Sequence, residues 1–149
     1  MEKVAEIEIR VSGKSGNQQL LPDNYDIKHI ITILQNVEDI IFPLRKKERP
    51  LITYDLEEGS VRHIFKTTTQ TVLGFGAILS QIQASNSIDF LESKTSRAIE
   101  DMQQMARQKN YEFELSTSLN KDIQLNITPK SNYFRTENTW VDAELYFYG

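Results

Sequence analysis

The sequence predicts an α+β domain of two layers, a largely antiparallel mixed sheet with helices packed on one face. Three observations carry this. Several segments alternate strictly between apolar and polar residues, the pattern of a strand with one buried and one wet face. Three other segments carry apolar residues at three-and-four spacing, the period of an amphipathic helix. Clean alternation in nearly every strand favours antiparallel pairing, because strands of a parallel sheet buried on both faces read as unbroken apolar runs.

The elements follow in the order β-α-β-β-α-α-β-β-β. Ala5, Ile7, Ile9 and Val11 alternate with Glu6, Glu8 and Arg10 as a first strand. A polar loop over residues 12–24 leads into the longest helical pattern, residues 26–42, with Ile27, Ile30, Ile31, Leu34, Val37 and Ile41 on one expected core face. Asp23 and Asp26 suit its N-cap, since a short carboxylate accepts from the free N–H groups, and Pro43 stops it. Ile52, Tyr54 and Leu56, then Val61, His63 and Phe65, form two strands joined at Glu57-Glu58-Gly59-Ser60, where Gly59 can take positive φ. This makes a βαββ unit, with a right-handed crossover if its strands are parallel.

A capping box over residues 67–70 opens a second helix reaching about residue 83, with Val72, Phe75, Gly76, Leu79 and Ile82 inward. Asn86 with Asp89 is expected to cap a third, outer helix that runs to Asn110 on Ile88, Leu91, Thr95, Ala98, Met102 and Met105. Three strands close the chain: Tyr111/Phe113/Leu115, Ile123/Leu125/Ile127 and Val141/Ala143/Leu145/Phe147.

Composition bounds the function. The 149 residues suit a single domain, and 26% charged residues with sparse glycine and proline argue against extensive disorder. A formal net charge of −4 makes nucleic acid an unlikely partner. The absence of cysteine removes disulfides, thiolate catalysis and cysteine-held metals. There is no signal-type leader and no span long enough for a bilayer, so a soluble cytoplasmic protein is the expectation.

No motif names a reaction. Gly13-Lys14-Ser15 follows a strand, but a phosphate loop needs glycine where Glu8 stands. His29 and His63 have no ligands at metal spacing, and His63, in phase with Val61 and Phe65, reads as a hydrogen-bonded core histidine. Gly74 and Gly76 inside a helix suggest close approach of another backbone, or a bend opening a small pocket beside Phe75. The basic connector 45–49 lacks interleaved aromatics and reads as a solvated loop. No catalytic, cofactor or metal residue is assigned.

Two groups remain. Glu6 and Glu8, Glu112 and Glu114, and Asp142 and Glu144 each project from one side of a strand as an acidic surface. They could chelate a hard cation or perturb one another's pKa, or simply be solvated, with Arg10, Arg62 and Lys66 as counter-charges. Tyr133, Phe134 and Arg135, with Trp140 and Tyr146, have the composition of an interface, the alternative for Tyr133 and Phe134 being that they fold back over the end of the core. The aromatic strand ending at Gly149 suggests the N-terminal domain of a longer protein, or a strand covered by a homodimer mate or protein partner.

The leading expectation is a non-enzymatic protein-interaction or regulatory domain. One rival is an acidic inhibitor of immunity type for a basic partner. The other is a small enzyme or ligand-binding protein with converging carboxylates.

Overall fold

The computed structural model describes residues 3–44, 49–122 and 124–136, and it is an α+β fold. Among these residues a five-stranded antiparallel sheet has the order β4-β5-β1-β6-β7, with a separate two-stranded hairpin. The strands are β1 (Val4–Ser12), β2 (Lys14–Ser15), β3 (Gln18–Gln19), β4 (Thr53–Glu58), β5 (Val61–Thr68), β6 (Glu112–Thr117) and β7 (Gln124–Ile127). The helices are α1 (Ile27–Ile41), α2 (Thr69–Ser85) and α3 (Ser93–Lys109).

The central strand is β1, paired antiparallel with β5 on one side and β6 on the other. Both long crossovers therefore straddle a strand. β1 and β4 run parallel with β5 between them, and β5 and β6 run parallel with β1 between them, the split β-α-β arrangement. Every neighbouring pair is antiparallel, so the parallel strands at the two ends of each crossover are kept apart. Ala5, Ile7, Ile9 and Val11 are buried while Glu6, Glu8 and Arg10 stay partly exposed, which places the helices on one face. α2 packs across β1, β5, β6 and β7, and α1 packs chiefly on α3.

Local chemistry sets the boundaries. The Asp26 carboxylate accepts from the Lys28 N–H at 2.9 Å and caps α1. The hydroxyl of Thr68 caps α2 by accepting from the Thr71 N–H. Asn86 does not open α3; it ends α2 in the left-handed conformation at φ 53°, and α3 begins only at Ser93. The residues between form a turn that buries Ile88 and is held by the Ser96 hydroxyl, which donates to the Ile88 carbonyl at 3.1 Å. One face of α3 is in water as expected, but its inner face is broader than the predicted stripe, because Ile99 and Ala106 are also buried.

The inward face of α2 is the predicted one, Val72, Phe75, Gly76, Leu79 and Ile82. Its glycines do not have the predicted role. A Cβ on Gly74 would meet nothing within 4 Å, and one on Gly76 only the Thr117 methyl at 3.9 Å, so no backbone approaches closely. Nor does a bend open a pocket beside Phe75, which is buried.

The buried face of α1 also differs. Ile33, Val37 and Ile40 are its core residues, Leu34 is half-buried, and Ile27 and Ile31 are 68% and 58% exposed. Apolar residues occupy more of this helix than one packed face needs, and the spacing rule admits two overlapping stripes. Packing on α3, through Asn36 to Asp101 and Thr95 to the carbonyls of Asp39 and Ile40, rotates the helix so that the Ile27 side faces out.

The loop over residues 12–24 holds structure the sequence reading did not resolve: the β2–β3 hairpin and a 3-10 turn, Pro22–Asn24. Gly13 sits beneath Tyr111, where an added Cβ would fall 2.6 Å from a ring carbon. The predicted strand over residues 141–147, the connector 45–48 and Ile123 lie outside the described residues.

Candidate functional site

The carboxylates land on the wet face of the sheet, interleaved with cations. In the β1–β5 register Glu6 opposes Lys66, and in the β1–β6 register Arg10 opposes Glu114 and Ser12 opposes Glu112. Arg62 donates to Glu8 at 2.7 Å and to Glu57 at 3.3 Å, and Lys66 Nζ lies 3.9 Å from Glu6. The hydrogen bond to Glu8 holds the Arg62 pKa above its usual value. Glu112 and Glu114 remain exposed on β6. The four carboxylates are thus spread along β1 and β6 rather than gathered at one point, and Ile64, on the same face, is buried. No group of three metal-ligating side chains occurs among the described residues. Asp142 and Glu144 lie outside them.

Tyr133, Phe134 and Arg135 fold back onto the domain. Tyr133 packs against the core, and the Arg107 guanidinium lies 4.9 Å over the Phe134 ring. Glu100 on α3 accepts from the Arg135 backbone N–H and from its guanidinium, both at 2.9 Å. These aromatics have intramolecular partners. Trp140 and Tyr146 lie outside the described residues.

His63 is fully buried and wedged between two phenols, with the Tyr25 hydroxyl 3.0 Å from Nε2 and the Tyr54 hydroxyl 2.7 Å from Nδ1. A neutral imidazole has one bare nitrogen and one N–H, so one phenol donates to the ring and the other accepts from it. Burial pushes the His63 pKa down to about 4, raises that of Tyr54 to about 12 and raises that of Tyr25 further. Neutral at ordinary pH, the trio is a satisfied polar knot inside the core, as the phase of His63 predicts. His29 and Tyr111 extend it, with the His29 ring 5.6 Å from Tyr25 and 5.7 Å from Tyr111.

The surface that sequence reasoning missed lies where α1 runs beside the sheet edge. β4 is an edge strand, and among the described residues none but β5 bonds to its backbone. At about 100° per residue, Ile27, Ile31, Leu34 and Glu38 share a sector about 60° wide on α1. The direction of that sector is fixed by its last members: Leu34 and Glu38 line a cleft of about 140 Å³ with Val37, Arg49, Ile52, Tyr54 and Phe65. Exposed apolar side chains therefore lie near a strand whose outer edge has no partner among the described residues. Glu38 pairs with Arg49 at the cleft mouth, and Leu51, just before β4, is 79% exposed. The surplus of isoleucine on α1 was the available signal, and only the strand order gives it meaning.

Among the described residues no helix is long and apolar enough to cross a membrane. No protein-family model, curated protein or solved structure shows a significant match to the chain.

Proposed function

We propose that this chain is a non-enzymatic protein-interaction or regulatory domain, and that it binds along the β4 edge and the adjoining flank of α1. The observation that carries the reading is an edge strand, without an outer partner among the described residues, on the same side of the domain as exposed Ile27 and Ile31. Soluble proteins ordinarily blunt or cover such edges, because free N–H and C=O groups beside apolar side chains recruit other chains. The reading of a small enzyme with converging carboxylates has less support, since Glu6, Glu8, Glu112 and Glu114 are spread along two strands. The inhibitor reading draws on the net charge of −4. Against it, Arg62, shared by Glu8 and Glu57, and Lys66, beside Glu6, offset part of the negative charge locally, which weakens the field that would steer a basic partner.

Cross-linking capture from the native cell, run in parallel with wild type and an Ile27→Asp/Ile31→Asp variant, tests the proposal. Both side chains are exposed, so the variant should keep the wild-type circular dichroism and melting behaviour. The expected result is a set of proteins retained by wild type and lost from the variant. Identical sets from the two would refute it.

A further inference from the structure

We infer that the occupant of this surface is an extended segment of alternating apolar and basic residues that adds to the sheet as a sixth strand beside β4; the inference rests on the interaction reading above. Three features of the edge specify it. Among the described residues the outer edge of β4 has no backbone partner, and it offers a ladder of donors and acceptors, which an extended chain satisfies and a helix does not. An added strand must present alternate side chains to the two faces of the sheet. On the helix side they would meet Leu34, Ile52 and the cleft of about 140 Å³, room for one aliphatic side chain. On the wet side they would lie beside Asp55 and Glu57.

The charges select the partner. Asp55 is exposed and opposes the apolar Ile64 on β5, so its carboxylate has no cross-strand cation within the sheet. Glu57 shares Arg62 with Glu8. An incoming strand with lysine or arginine on the wet side supplies Asp55 with the opposing cation it lacks, whereas acidic residues there would repel Asp55 and Glu57. The same argument disfavours a second copy paired through β4, which would bring the acidic strands of two chains edge to edge.

The test uses four capped peptides: alternating valine and lysine, alternating valine and glutamate, a scramble of the first, and the first with every backbone nitrogen methylated. Fluorescence anisotropy measures binding, and hydrogen exchange maps it on the full chain. The expected result is that the lysine peptide binds and slows exchange at the amides of β4, while the methylated and scrambled peptides do not. Asp55→Lys should weaken the lysine peptide by about threefold to tenfold and strengthen the glutamate peptide. Equal binding of the lysine and glutamate peptides, protection mapping elsewhere, no binding at millimolar peptide, or dimerisation through β4 without peptide would each overturn the inference. If the Ile27→Asp/Ile31→Asp variant loses captured proteins while the lysine peptide leaves β4 unprotected, the interaction domain stands and strand addition falls.

Discussion

The Tyr54 hydroxyl lies 2.7 Å from Nδ1 of His63 although the two are not cross-strand partners: Tyr54 opposes Phe65, and His63 opposes Leu56. The diagonal contact ties the exposed edge strand β4 to a histidine at the centre of the core. Tyr25, entering from the segment before α1, closes the knot on the other ring nitrogen at 3.0 Å.

The knot makes stability depend on pH. Unfolded His63 takes up a proton below about pH 6.5, while folded His63 resists protonation until about pH 4. Between these values the unfolded state binds more protons, so stability is lost as pH falls through the window, by about 3 kcal/mol in all. Burial of His29 lowers its pKa too and acts in the same direction. Urea melts of wild type and His63→Gln at pH 7.5, 5.5 and 4.0 check this: the slope should flatten in the variant. Parallel slopes would remove His63 as the cause.

Substitutions on α1 separate its two apolar stripes. Ile33→Ala and Ile40→Ala should each cost about 2–5 kcal/mol, the usual range for truncating a buried aliphatic side chain. Ile31→Ala, at an exposed position, should cost no more than about 0.5 kcal/mol. Urea denaturation distinguishes them, and a large loss from Ile31→Ala would mean that this residue is covered in solution.

Two glycines should respond with opposite signs. Gly74 lies within α2 with open space where a Cβ would go, so Gly74→Ala should stabilise by about 0.5–1 kcal/mol through backbone entropy alone. Gly13→Ala should destabilise, because the new methyl would press on the Tyr111 ring at 2.6 Å. Thermal melts of the two variants give the comparison directly.

The segment over residues 133–136 should be released by one change on α3. Glu100 accepts from both the backbone and the side chain of Arg135, while Asp89 holds the Thr136 hydroxyl and N–H. Glu100→Ala should cost about 1–3 kcal/mol, the scale of charged hydrogen bonds in a half-buried setting. It should also speed hydrogen exchange at the amide of Arg135. Unchanged exchange there would show that Tyr133 and Phe134 hold the segment without the ion pair.

By itself the sequence determined the elements whose pattern is local. The alternation of Ala5, Ile7, Ile9 and Val11, the inward face of α2 and the turn at Gly59 each follow from side-chain period and backbone sterics within a few residues. The burial of His63 was legible in the same way, from its phase with Val61 and Phe65. What only the tertiary structure decided is which of several locally equal options meets a neighbour. The α1 sequence allows two overlapping stripes, and contact with α3 buries Ile33 and leaves Ile31 exposed. Alternation marks a strand without saying whether it has one partner or two, so the edge position of β4 was invisible until the order β4-β5-β1-β6-β7 was known. The carboxylates were readable as pairs along each strand, and Arg62 and Lys66 as counter-charges, but which cation meets which carboxylate depends on register between strands far apart in the chain. Periodicity is a property of one segment, whereas a surface is made by the segments that long-range packing brings together.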